Sequence, residues 1–364
     1  MFSANDRISI RQLKVLLMLN LFGTTSLILP RMAAETAGRD GWISVALGTV
    51  FAIVYAVIIL HLAYKFPHKT LFEYTETLAG RIITFIIAFI FITRLVLAAS
   101  FGLRLFSELI KEALLENTPI EVIIMSMLLV VLYIARKGYE CRARVAEIIV
   151  WIVFIPIILV LLFAIPQVNF SRVLPVFVSS PQDIFMGAYV ISLTYSAIDL
   201  LLIAIPYTDK PRKTRRPVIS AIVLIGIFNV FLCIITFGLF GDIGTQRQIW
   251  PVMNIMQVVK LPGALLERQD ALMISFWILS IFAVINAYVF FISVITQKVF
   301  KLKEQNFLVL PLLPIIFLIA LIPDNVVQIY EYTKNIMSYM GLFLLVFLPL
   351  ALIFLARIKK VGES

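Results

Sequence analysis

The sequence predicts an all-α polytopic membrane protein. It has ten transmembrane helices in a 5+5 inverted repeat, with helices 1 and 6 broken. Three observations predict this. Hydrophobic residues make up 62% of the chain and charged residues 14%, and the mean hydropathy is +1.03. Soluble domains carry about 45–50% apolar and about 25% charged residues. The apolar residues here come in blocks of about 18–25, the length that crosses about 30 Å of hydrocarbon. The second observation is an alternation of basic clusters between the two sides of the membrane. The third is a pair of blocks interrupted at mid-depth by small polar residues.

The blocks run roughly 12–35, 42–64, 82–110, 120–135, 145–166, 183–206, 217–240, 269–297, 307–323 and 335–356. The third is long enough to tilt, and the ninth is short and holds Pro311 and Pro314. With both termini on the inner side, 21 of the 31 Lys and Arg residues fall in inner segments and nine in outer loops. A wrong span count would scramble that bias, so it supports ten spans with both ends cytoplasmic. The whole chain, 1–364, is then one transmembrane domain. Repeat one covers about 8–166 and repeat two about 183–357. The loop 241–268 carries a short surface helix at about 250–260, with Pro251 in its first turn.

The first span contains Gly23-Thr24-Thr25-Ser26 where a smooth helix needs only apolar residues. Such a sequence gives up helix propensity and places hydroxyls at mid-depth. It is tolerated where protein covers it or a wet cavity receives it. The sixth span contains Ser192-Leu193-Thr194-Tyr195-Ser196-Ala197-Ile198-Asp199. On a continuous helix Ser192, Ser196 and Asp199 would share one face. A lipid-facing Asp199 would cost roughly 2.5–3.5 kcal/mol on insertion scales, so it should face the bundle interior. Two interrupted spans at matching places in two halves are the mark of an inverted-repeat transporter. Half-helix N-termini suit a carboxylate, and unwound carbonyls suit an ammonium. The pair Gly23, Thr24, Thr25, Ser26 and Thr194, Tyr195, Ser196, Asp199 therefore forms the candidate ligand site, fit for a zwitterionic amino acid.

Arg94 is the lone cation at depth, on one face with Ala98 and Gly102. It is expected to partner a buried acid or carbonyls. Asn229 lines up with Cys233 and Thr236, and Asn286 with Ser275 and Ser293. Arg94, Asn229 and Asn286 are expected to form a polar network within the bundle, holding helices together by hydrogen bonds. The aromatics are expected to be lipid-facing bulk, with Trp42, Trp151 and Trp250 as interfacial anchors.

Other classes find little support. Two cysteines and two histidines offer no metal pattern and no disulfide framework. No Walker loop, paired zinc histidines or nucleophile elbow is present, so no cofactor, no metal and no enzyme activity are expected. A net charge of +10 would suggest nucleic acid in a soluble protein. Here it sits beside spans and sets orientation. The N-terminus imitates a signal peptide, but its apolar run is longer than the usual 7–15 residues and holds Asn20.

Several stretches in order resemble a known family. They are Ile8-Ser9-Ile10-Arg11-Gln12, Leu29-Pro30, Ala37-Gly38-Arg39-Asp40-Gly41-Trp42-Ile43-Ser44 and Phe66-Pro67-His68-Lys69-Thr70-Leu71-Phe72-Glu73-Tyr74. Then follow Ala135-Arg136-Lys137-Gly138-Tyr139-Glu140, Pro206-Tyr207-Thr208-Asp209-Lys210-Pro211 and Leu266-Glu267-Arg268-Gln269-Asp270-Ala271. Together they resemble the B subunit of spore germinant receptors, in the amino acid–polyamine–organocation transporter superfamily. The resemblance implies a leucine-transporter-type fold with the ligand between helices 1 and 6. It implies germinant-receptor A and C subunits as partners in the inner spore membrane, and a small-molecule germinant, often an amino acid. One stretch departs: many relatives read Phe-Pro-Phe-Gly-Glu where this chain reads Thr194 to Asp199. The acid is shorter and the Pro and Gly are gone. The expected function is germinant sensing on a transporter scaffold. The alternative is an amino-acid permease coupled to protons or cations, and a third class is a pore for small molecules.

Overall fold

A computed structural model describes residues 7–23, 25–258 and 269–361 of the chain. The described residues are helical, with one isolated parallel bridge between Ile8 and Thr208. In order, the helices are α1 (Ile10–Phe22), α2 (Thr25–Ala37), α3 (Gly41–Lys65), α4 (Leu71–Ala79) and α5 (Arg81–Ala113). There follow α6 (Ile120–Ala135), α7 (Gly138–Ala164), α8 (Pro181–Thr194), α9 (Leu201–Ala204) and α10 (Arg215–Gln246). The rest are α11 (Pro251–Val258), α12 (Gln269–Phe300), α13 (Val309–Ala320), α14 (Val326–Ile336) and α15 (Leu348–Ile358).

Six stretches are long and apolar enough to cross a membrane: Thr25–Lys65, Arg81–Ala113, Gly138–Gln167, Arg215–Gln246, Ile274–Phe300 and Val326–Ile358. A seventh is the pair Pro181–Thr194 and Ser196–Tyr207, bent by 42°. Ile120–Ala135 and Asn306–Ala320 are apolar but shorter. The chain is thus a multi-pass membrane protein.

Several local features follow from sequence. Ser9 and Gln12 form a capping box that starts α1, and Thr70 and Glu73 form another that starts α4. Helix α4 lies in a stretch read as a loop, although Thr70-Leu71-Phe72-Glu73 carries that capping signature. Helix α14 also begins nine residues before the expected tenth span, where Asn325 caps it by accepting from Gln328. Between α14 and α15 lie two π-helical turns, Met337–Gly341 and Phe343–Phe347.

The helices pack as two groups. In the first, α3 lies against α8 and α10, and α2 packs on α8 and α10. In the second, α12 lies against α5, α6 and α7, and α13 and α14 pack on α5. Small residues permit the close approaches within the first group. A Cβ on Gly226 of α10 would lie 2.3 Å from Thr49 Cγ2 of α3, so only glycine fits there.

The chain around α2 and α8 is tied at both ends. At one end the buried Asp40 carboxylate accepts the Phe177 and Ser179 N–H groups, each at 2.7 Å. Ser179 Oγ also donates to the Ala37 carbonyl. At the other end Ile8 N–H donates to the Tyr207 carbonyl and Asp209 N–H donates to the Ile8 carbonyl.

Expectations about surfaces change in two places. The short helix α11 does form, but Val252, Met253, Ile255 and Met256 are buried against α2, α10 and α12. Trp250 is only 5% exposed and donates to Glu112, so it is a packing residue and not a lipid anchor. Trp151, at 60% exposed, does face outward. Many phenylalanines are core rather than lipid-facing: Phe22 packs on Phe154, Phe228 and Trp277, and Tyr139 packs on Phe290 and Phe291. Residues 259–268 of the 241–268 loop lie outside the described residues.

Candidate functional site

The first candidate stretch is residues 23–26. Helix α1 ends at Phe22, Gly23 has φ −13° and ψ −112°, and α2 starts at Thr25. The Gly23 carbonyl accepts the Trp277 indole N–H of α12 at 3.0 Å. A Cβ on Gly23 would come 2.4 Å from Val284 Cγ2. The gap in the helix is therefore filled by α12, and the freed carbonyl has a donor, as an apolar surrounding demands. Thr24 lies outside the described residues.

In the second interruption α8 ends at Thr194 and a 3-10 segment runs from Ser196 to Leu200. The tighter winding rotates the side chains away from the α-helical register. Ser196 and Asp199, three apart in the 3-10 segment, fall on one side of it, and Ser192 belongs to the preceding α-helix. Ser192 hydrogen-bonds the Tyr55 hydroxyl of α3, while Ser196 lines a cavity and Asp199 pairs with Arg94. A single stripe of all three would need a continuous α-helix.

That cavity, ≈ 70 Å³ in volume, lies between the two helix groups. Thr25 and Ser196 face it from one side, and Arg94 and Tyr288 from the other. Ile28, Met32, Phe101 and Ile329 supply apolar wall. Ala98 and Gly102 line it together with Arg94, on one face of α5. Its volume suits about two waters at roughly 30 Å³ each. A clasp lies at the Tyr330 side, where the Tyr330 hydroxyl donates to Glu35, Glu35 pairs with Arg31 at 2.7 Å, and Arg31 stacks over the Tyr330 ring.

The remaining expected residues brace the site. Ser26 Oγ donates to Asn229 Oδ1 at 3.0 Å, and Asn229 also hydrogen-bonds Tyr195. The Tyr195 hydroxyl shares a 3.0 Å hydrogen bond with Thr49 Oγ1, which donates to the Val45 carbonyl. Thr49 uses its one hydroxyl proton on the Val45 carbonyl, so Tyr195 is the donor to Thr49. Four helical elements are thereby linked by a buried relay in which each hydroxyl has a partner. Thr194 Oγ1 donates back to the Ile191 carbonyl.

Arg94 Nη1 and Asp199 Oδ2 are 2.7 Å apart, and their side chains are 3% and 0% exposed. The contact meets off the N–H direction, which makes it an ion pair more than a linear hydrogen bond. Arg94 thus has the buried acid that its depth demanded, and it also lines the cavity. Asn286 stands apart, donating to the Val131 carbonyl of α6 at 3.2 Å. Arg94, Asn229 and Asn286 therefore have three separate partners rather than one shared network. Tyr288, Tyr330, Phe101 and Met32 were not anticipated at the site. They look like ordinary apolar-span residues in sequence, and only the helix crossing brings them together. Among the described residues no cluster of His, Cys, Asp and Glu could hold a metal ion.

Comparison with known proteins is consistent with this architecture. A family model described as spore germination protein, of the spore permease type, matches residues 7–329. Spore germination protein YndE of Bacillus subtilis is 27% identical over 365 residues, covering 100% of both chains. Spore germination protein B2 of the same organism is 25% identical, covering 100% of this chain and 99% of its own. Among solved structures, MhsT in complex with L-phenylalanine superposes with a TM-score of 0.68 at 14% identity, covering 97% of this chain and 89% of that one. A Na+-coupled sialic acid symporter in a substrate-bound outward-open state gives 0.62 at 13% identity, covering 99% and 78%. These two likenesses concern fold alone, and the fold is that of leucine-transporter-type carriers. From the family match across most of its length, the chain belongs to the spore germination protein family.

Proposed function

We propose that this protein is the integral inner-membrane subunit of a spore germinant receptor, binding a small germinant in the cleft between its interrupted helices. The germinant is an amino acid, and binding triggers germination through associated A and C subunits. The ten spans form two inverted five-helix halves with both termini cytoplasmic. The observation that carries the reading is the meeting of Thr25, Ser196 and Arg94 on one cavity. The wall is polar at these three residues and at Tyr288, Tyr330, Thr333 and Lys334, and apolar at Ile28, Met32 and Phe101. That division fits a zwitterion with a small apolar side chain. The carboxylate takes the Arg94 guanidinium and the hydroxyls of Thr25 and Ser196.

The cavity of ≈ 70 Å³ is smaller than an amino acid. The ligand therefore favours a second packing in which α14 parts from α2, and its differential affinity for the two packings is the signal. The clasp of Arg31, Glu35 and Tyr330 is the contact that yields. The test is germination of spores carrying Thr25→Trp or Ser196→Phe. The response should be lost while the protein is still made and inserted. A normal dose response would refute the cleft.

The transporter neighbours favour one alternative, an amino-acid permease coupled to protons or cations. Purified protein in vesicles separates the two. Saturable binding of a labelled amino acid without accumulation supports sensing, and gradient-driven uptake supports transport.

A further inference from the structure

A second recess lies at the other side of the molecule from the clasp, at the end that carries the basic inner clusters. It is a groove of ≈ 640 Å³ between the α6–α7 junction and the chain that follows α12. Arg136, Lys137, Arg144, Lys298 and Lys303 line it, against the acids Glu140 and Glu304. Part of this charge is spent internally. Arg144 pairs with Glu140 at 2.6 Å, and Lys298 pairs with Glu73 at 2.9 Å. Arg136, Lys137 and Lys303 have no carboxylate partner among the described residues.

The groove does not end in water alone. Arg136, Lys137 and Asn306 also line a second groove of ≈ 570 Å³, whose other walls are Leu129, Leu132 and Tyr133 of α6. Leu129 is 60% exposed and Tyr133 66% exposed, on a helix with few polar residues. Lys137 Nζ sits 5.3 Å from the Tyr133 ring centroid, which holds the cation where the apolar face meets the polar one. Topology explains basic residues at a span end. It does not require a recess, nor a recess that continues into an apolar channel on the membrane-facing side.

We propose that this joined pair of grooves binds an anionic phospholipid. The phosphate and headgroup lie among Arg136, Lys137 and Lys303, and an acyl chain lies along Leu129, Leu132 and Tyr133. Basic pockets between membrane helices recognise anionic headgroups by charge, and the neighbouring apolar surface distinguishes a lipid from a free phosphate. An acidic protein segment would use the basic groove and leave the apolar one unfilled.

The test uses the full chain purified in neutral detergent. Native mass spectrometry and thermal unfolding are followed on addition of phosphatidylglycerol, phosphatidylcholine or glycerol 1-phosphate. Phosphatidylglycerol should be retained and should raise the melting temperature by several degrees, with at least tenfold tighter binding than phosphatidylcholine. The triple variant Arg136→Gln/Lys137→Gln/Lys303→Gln should lose that tenfold preference. Arg357→Gln/Lys359→Gln, which removes an equal kind of charge elsewhere on the chain, should keep it. Tyr133→Ala tests the apolar channel should the triple variant fail to fold, and it should weaken phosphatidylglycerol severalfold. Equal stabilisation by both lipids overturns the proposal. So does full competition by glycerol 1-phosphate, or a triple variant that keeps its lipid but no longer co-purifies with partner subunits.

Discussion

At the scale of residues, the site depends on which polar groups already have partners. Ser26, Asn229, Tyr195 and Thr49 satisfy one another, so they hold helices in place and offer little to a solute. Thr25 and Ser196 line the cavity instead. Among the described residues Arg94 and Asp199 form an ion pair with each other alone, in a setting where an unpaired charge is costly. Removing one partner should therefore destabilise the protein more than removing both. Asp199→Ala is expected to lower stability by about 3–5 kcal/mol. Arg94→Met/Asp199→Leu should recover much of that loss and still fail to bind ligand. Thermal unfolding in detergent, paired with a binding assay, checks both halves. A double variant no more stable than Asp199→Ala would show that the pair contributes something other than mutual neutralisation.

At the scale of elements, α4 and the end of α12 form a pair of matched contacts. Glu73 meets Lys298 at 2.9 Å and Glu76 meets Lys301 at 3.0 Å, one helical turn apart on each partner. Burial pushes the Glu73 carboxyl up, but hydrogen bonds from Lys298 and Thr70 outweigh it and hold it below its usual range. A carboxyl lowered in the folded state adds stability above its unfolded value, about pH 4.3. That contribution is lost as pH falls through the folded value. In Glu73→Gln the drop in melting temperature between about pH 5 and about pH 3 should be smaller than in the wild type. An identical acid limb in both proteins would count against the link.

Elements also show what was legible in the sequence. The apolar blocks were legible because hydropathy is a local property. The capping box at Thr70 was equally local and marks the start of α4. The partner of Arg94 was not legible, because it depends on how α5 crosses the 3-10 segment after α8. The same holds for Tyr288 and Tyr330, which only packing brings to the cavity. A 3-10 segment turns its side chains faster than an α-helix, and nothing in Thr194–Leu200 announces that choice.

At the scale of the whole molecule, the cavity lies on the seam between two packing groups. Thr25, Ile28 and Ser196 belong to one, and Arg94, Tyr288 and Ile329 to the other. A solute there touches both at once, which is how a small molecule could bias their relative position. The π-helical turns from Met337 to Phe347 lie next to this seam, since Met337 lines the cavity and Gly341 approaches Ser196. π-Turns are often found at functional sites. Cross-linking should hold the seam shut. With Cys141→Ser and Cys233→Ala as background, Arg31→Cys/Tyr330→Cys treated with a short thiol cross-linker should abolish the germinant response, and reductant should restore it. A full response from the cross-linked protein would rule out opening at this contact.

The brackets at Asp40 and Ile8 have a mechanical consequence. One fastens the turn after α2 to the strand of chain entering α8, and the other fastens the chain before α1 to the chain leaving α9. The two discontinuous helices are thus laced together above and below, like two slats joined by a hinge pin at either end. That lacing resists separation of α2 from α8, so a rearrangement driven by a solute is expected across the seam rather than between them.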